Sequence, residues 1–247
     1  MKLECAFIAG LMLATAACGA PDRFSGKPSP ESQVVRPDKV TSFATLYGAN
    51  CAGCHGADGK GGAAQSLRDP LYLEIADDAT IRRVVRKGVS GTPMPAFAQS
   101  AGGMLTDAQI DAIVDGIRSR WAKPDAVRGP NPPSYAAHGP GNASRGANVF
   151  AFYCASCHGV SGQGAERASS IVDGSFLALV SNQSLRTTVI VGRPELGAPD
   201  FRGNVAGKPM SDQDVTDVVA WLSARRPEIA GQPYPSPASG TAVGVRQ

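Results

Sequence analysis

Apolar positions along the chain fall into helical spacing twice over. Ile110, Ile113, Val114 and Ile117 follow i, i+3, i+4, i+7, which lays one apolar stripe along an α-helix. Val215, Val218, Val219 and Leu222 repeat the spacing. Each run opens on a helix-start signature, Thr106-Asp-Ala-Gln109 and the weaker Ser211-Asp-Gln-Asp214, in which side chains and backbone amides at N-cap and N3 satisfy one another. A second helix is expected near Asp78–Lys87 and again near Gln183–Val191, each stopped by a glycine, Gly88 or Gly192, as at a C-terminal cap. A first helix is expected over Val40–Ala49 and over Ala147–Tyr153. Neither half shows the period-2 alternation of strands, so the fold class is all-α.

The matching elements come from an internal repeat. Asp69 and Asp173, Gly88 and Gly192, and Phe97 and Phe201 keep one offset, which drifts by a residue at two loops. Two copies of one domain explain this better than a single fold. The expected boundaries are domain 1 at 39–122, a Pro/Gly linker at 123–143 and domain 2 at 144–227. The linker carries five prolines and three glycines and reads as an extended, semi-stiff spacer. Residues 18–38 read as a flexible tether, and 228–247, rich in Pro, Gly and Ser, as a disordered tail.

Composition narrows the choices. Aromatic content is 6%, with 29 glycines and 19 prolines in 247 residues, which suits small helical domains whose core is filled by something besides side chains. The net charge of +3 and the lack of a Lys/Arg run argue against nucleic acid as a partner. At the N-terminus, Lys2 precedes an apolar run from Ala6 to Ala17. That run is shorter than the ~20 residues that span a bilayer, so 1–17 reads as a signal peptide. Ala16-Ala17-Cys18 resembles a bacterial lipoprotein cleavage site, which implies a lipid on the Cys18 thiol; Thr15 departs from that pattern.

Six cysteines are then accounted for: Cys5 in the signal peptide, Cys18 at the lipid site, and four in Cys51-Ala-Gly-Cys54-His55 and Cys154-Ala-Ser-Cys157-His158. None is left over for a disulfide. Two thiols three residues apart on a helical turn can add to the vinyl groups along one porphyrin edge, and the adjacent histidine then aims a ring nitrogen at the iron. A zinc site built from one such motif lacks a fourth ligand, and a redox dithiol has no need of the histidine. The reading is two covalently bound haem c groups. Domains this small are marginal on their own, so the macrocycle is expected to supply their core.

With these motifs, each half resembles a class I cytochrome c domain. The resemblance rests on the haem-binding pentapeptide followed by Gly56 or Gly159, the glycine-rich turns at Gly59, Gly61, Gly62 and at Gly162, Gly164, the Met94-Pro-Ala-Phe97 loop, and the final amphipathic helix. It implies three to four helices around each haem, with the N- and C-terminal helices crossing beside it. It implies His55 and Met94 on the first iron and His158 on the second. Met104, the other methionine of domain 1, reads as an apolar staple. Domain 2 departs from the pattern, because Ala198 stands where Met94 stands. Met210 is its expected sulfur ligand, reached by a swing of the Gly203–Pro209 loop. An open or water-bound iron, His138 and Lys208 remain alternatives.

Weaker features have plainer readings. Arg82, Arg83, Arg86 and Lys87 form a basic stretch that reads as a solvated face balanced by Asp77 and Asp78, with a docking patch for an acidic partner as the alternative. Trp121 and Trp221 read as haem-edge or core packing, and Tyr47, Phe150 and Phe152 as packing. The expected function is one-electron transfer at the periplasmic face of a bacterial membrane, by a lipid-anchored carrier or a subunit of a respiratory or photosynthetic complex, with redox proteins or such a complex as partners. The alternative is a haem enzyme, peroxidase-like or oxidising sulfur compounds, working at an open second haem.

Overall fold

Capping side chains mark where most of the helices begin. The structure, a computed structural model, describes residues 34–123 and 126–227. The signal peptide, Cys18 and the tail beyond 227 lie outside the described residues. Domain 1 has α1 (Phe43–Asn50), α2 (Ala52–His55), α3 (Pro70–Ile75), α4 (Asp78–Lys87) and α5 (Asp107–Trp121). Domain 2 repeats them as α6 (Ala143–Tyr153), α7 (Ala155–His158), α8 (Gly174–Leu179), α9 (Asn182–Val191) and α10 (Asp212–Ser223). Asp77 and Ser181 cap α4 and α9, and both helices stop at a glycine of positive φ, +65° at Gly88 and +73° at Gly192. Both arms of the capping box form at α5 and also at α10, so the shorter Asp214 side chain suffices.

One helix in each domain goes beyond the elements expected from the sequence. α3 and α8 have six residues each. Asp69 accepts from the Leu71 and Tyr72 amides, and Asp173 from those of Ser175 and Phe176, which satisfies the first-turn donors of each helix. A small antiparallel ribbon, β1 (Gly164–Ala165) and β2 (Ala168–Ser169), adds strand structure to domain 2.

The N- and C-terminal helices of each domain pack across one another, α1 on α5 and α6 on α10. Glycine makes both crossings close. A Cβ on Gly116 would meet the Phe43 ring at 2.0 Å, and one on Gly146 would meet the Asp217 carbonyl at 2.1 Å. The predicted stripes face inward: Ile110, Ile113, Val114, Ile117, Val215, Val218, Val219 and Leu222 are all buried, each contributing about 1.5–3 kcal/mol relative to exposure. Trp121 stands edge-on to Phe43 and Tyr47, and Trp221 stacks on Phe150, which makes them packing groups. Phe152 is 51% exposed and packs edge-on against Tyr153, with ring centroids 4.8 Å apart.

The linker is not a free spacer. Its second half is strapped to domain 2. Arg186 on α9, only 3% exposed, donates to the carbonyls of Ser134 and Tyr135, to Thr216 and to Asp212. Gln183 also donates to Tyr135 O, and the Asn142 amide donates to Asp217. Two cations of the basic stretch on α4 are paired from α5, as Arg82–Asp111 and Arg86–Asp107, while Asp78 pairs with Arg118 instead. The two domains touch where α3 meets α9, and Arg193 donates to Gly62 O at 2.9 Å and Ala63 O at 3.2 Å.

Candidate functional site

Each Cys-x-x-Cys-His segment sits on a bent continuation of a terminal helix. α1 buries Leu46 and Tyr47 and delivers Cys51, where φ −119° and ψ −36° break the helix before α2. The His55 amide returns to Cys51 O at 3.0 Å. Gly56 (φ +83°) then reverses the chain, and a Cβ there would lie 1.9 Å from Lys60 O. The Tyr47 hydroxyl pins this turn by donating to Gly56 O at 2.8 Å. Domain 2 matches it, with Cys154 at φ −119°, ψ −30° and Gly159 at φ +76°.

Both imidazoles are held the same way. His55 Nδ1 lies 2.7 Å from Gln65 O, and His158 Nδ1 lies 3.1 Å from Ser169 O, on β2. A carbonyl only accepts, so Nδ1 carries the proton and Nε2 keeps its lone pair for a metal. The sequence did not single out Gln65 or Ser169, because the group that matters is a backbone oxygen with no residue-type signature. Burial lowers the tendency of His55 to protonate, against the opposing bond to Gln65, which favours the neutral ligand form.

The four motif cysteines form no disulfide. Burial, and then the neighbouring sulfur, push Cys51 up to about 11 and Cys154 up to about 12, whereas exchange-active thiols are acidified. Among the described residues no three His, Cys, Asp or Glu side chains converge as a metal cage. Two thiols three residues apart on a helical turn, beside a histidine with a free Nε2, are what a covalently attached haem requires, and both sets fit it.

Past α4, the Val89 amide donates to Met94 O at 3.0 Å, and Thr92 ties the loop to Val89 O and to the Met94 amide. This holds Met94 half-buried. In domain 2 the Arg193 amide donates to Ala198 O at 2.9 Å, so Ala198 occupies the backbone place of Met94. Met210 is 2% exposed and directly precedes the α10 N-cap, as Leu105 precedes that of α5. Met104, expected as the staple, is 80% exposed; Leu105, buried, takes that place. His138 is exposed, and Lys208 Nζ lies 5.2 Å over the Phe152 ring.

Comparison with known proteins follows the repeat. Residues 38–115 match the family model described as cytochrome c oxidase, cbb3-type, subunit III, and residues 143–225 match the cytochrome c model. The cbb3-type cytochrome c oxidase subunit CcoP of Azospirillum sp. (strain B510) is 32% identical over 53% of this chain and 42% of its own length. The subunit FixP of Azorhizobium caulinodans is 31% identical over 60% and 48%. The cytochrome bc1 complex cytochrome c subunit of Mycobacterium bovis is 26% identical over 81% and 71%. The chain therefore spans under half the length of these cbb3-type relatives.

Proposed function

Because this chain belongs to the cytochrome c family, with two of its domains in tandem, we propose that it passes single electrons through two covalently held haem c groups, as a subunit or tethered carrier of a membrane respiratory complex. The observation that carries this reading is the paired His Nδ1–carbonyl bond behind each Cys-x-x-Cys-His turn. In it, Cys51, Cys54, Cys154 and Cys157 would form the thioethers, His55 and His158 would ligate the irons, and Met94 would also ligate the first. Haem iron supplies the one-electron couple; the chain binds it, excludes water and tunes its potential. A thioether at Met94 favours the reduced state, because it is a soft ligand that donates less charge than a nitrogen.

The relatives are named as parts of a cbb3-type oxidase and of a bc1 complex, which favours a complex of that kind as the partner. Among the described residues no helix is long and apolar enough to cross a membrane. In this reading the chain is held at the periplasmic face by a lipid on Cys18. Intact mass and pyridine haemochrome analysis of the mature protein test the proposal. Two haems per chain, retained in acidified acetone, are expected; pigment extracted by the solvent would overturn it. Palmitate labelling lost in Cys18→Ser tests the anchor.

A further inference from the structure

The loop bearing Met94 recurs in domain 2 with its closing hydrogen bond in register, a 3-10 turn at Pro194–Leu196, and no sulfur. The hydrogen bond of Val89 to Met94 O recurs as Arg193 to Ala198 O. A Cβ on Gly88 would meet Pro95 C at 2.6 Å and Ala96 N at 2.7 Å; one on Gly192 would meet Pro199 C at 2.6 Å and Asp200 N at 2.7 Å. The register between the copies is thus unbroken through the loop, and Ala198 lacks the Cγ, Sδ and Cε that Met94 carries.

Met210 does not replace them. Its amide donates to Phe201 O at 2.9 Å, as the Leu105 amide donates to Phe97 O at 2.8 Å. It is therefore the residue before the capping box in its own copy, where an apolar side chain packs onto the first turn of the helix. Val215, in that first turn, is fully buried, as is Ile110 beside Leu105. The Met210 sulfur also accepts from Asn204 Nδ2 at 3.8 Å. The other candidates are placed elsewhere: Lys208 lies over Phe152, and His138 is exposed on the strapped linker.

We propose that the second haem iron takes no side chain of this protein opposite His158, and that this position binds a small uncharged ligand such as carbon monoxide or nitric oxide. Four of the charges around the loop pair off, Arg193 with Glu195 and Arg202 with Asp200, and Lys208 is turned onto the Phe152 ring, which favours a neutral ligand over an ion. The proposal rests on the reading that both domains carry haem and that Met94 binds the first iron.

Carbon monoxide titration of the reduced full-length protein tests it, together with the far-red sulfur-to-iron band of the oxidised protein. One carbon monoxide per two haems is expected, with a band intensity of one Met-bound haem. Ala198→Met should abolish uptake and double the band. Met210→Leu, which restores the residue of domain 1, should change neither. Two haems per chain with no uptake, or a band halved by Met210→Leu, overturns the proposal alone. One haem per chain by pyridine haemochrome overturns the dihaem reading instead, and Met94→Ala that leaves the band intact overturns the assignment of Met94.

Discussion

Gly88 turns the chain out of α4 with φ +65° and ψ −167°, a region essentially closed to other residues. A Cβ there would also press on the backbone of Pro95 and Met94. Gly88→Ala should therefore cost more than the ~1–3 kcal/mol of backbone strain alone. It should displace Met94 as well, read as a lower melting temperature and a weakened far-red band. Gln65 shows the opposite case. Its side-chain amide is buried with no partner, while only its carbonyl serves His55. Gln65→Ala should leave the reduced spectrum and the potential unchanged and not lower stability, as thermal melts and redox titration can check. Asp217 is fully buried. Burial raises its proton affinity, but the Asn142 amide, Gln213 and Arg145 outweigh this and hold its carboxyl below the usual range. Its contribution is present above the ordinary carboxylate range and lost as pH falls through the lowered value. Asp217→Asn should flatten the loss of stability between about pH 5 and pH 2, measured by urea midpoint against pH.

The elements show what the sequence makes legible and what it hides. The expected bounds of α4 agree to the residue and those of α9 to within one, because Gly88 and Gly192 mark their C-terminal ends. The stripes of α5 and α10 are buried as their spacing implies. α3 and α8 escaped because six residues are too few for periodicity, although Asp69 and Asp173 already stood out as repeat markers. Strapping of the linker escaped for a different reason: its carbonyls are captured by Arg186, about fifty residues away, and no local pattern encodes that. The site divides likewise. The cysteines and histidines stand plainly in the sequence, whereas the carbonyls at Gln65 and Ser169 depend on how two loops fold back. The capping boxes give a measurable consequence. Thr106→Ala and Ser211→Ala should each cost about 1 kcal/mol, and equal losses by chemical denaturation would show that the shorter Asp214 completes its box as well as Gln109.

Across the whole molecule, the two domains meet through few polar contacts, and Arg193 supplies a pair of them. Its guanidinium belongs to the turn that ends at Ala198, yet it grips Gly62 O and Ala63 O, two residues ahead of the carbonyl that orients His55. Arg193→Ala should loosen the domains while leaving each folded, seen as faster proteolysis between them with both haem spectra retained. The placement acts as a lever. Arg193 ties the 194–198 turn to the segment behind the first imidazole, and a midpoint potential of the first centre that shifts on ligation of the second, and no longer shifts in Arg193→Ala, would show that the tie carries a signal.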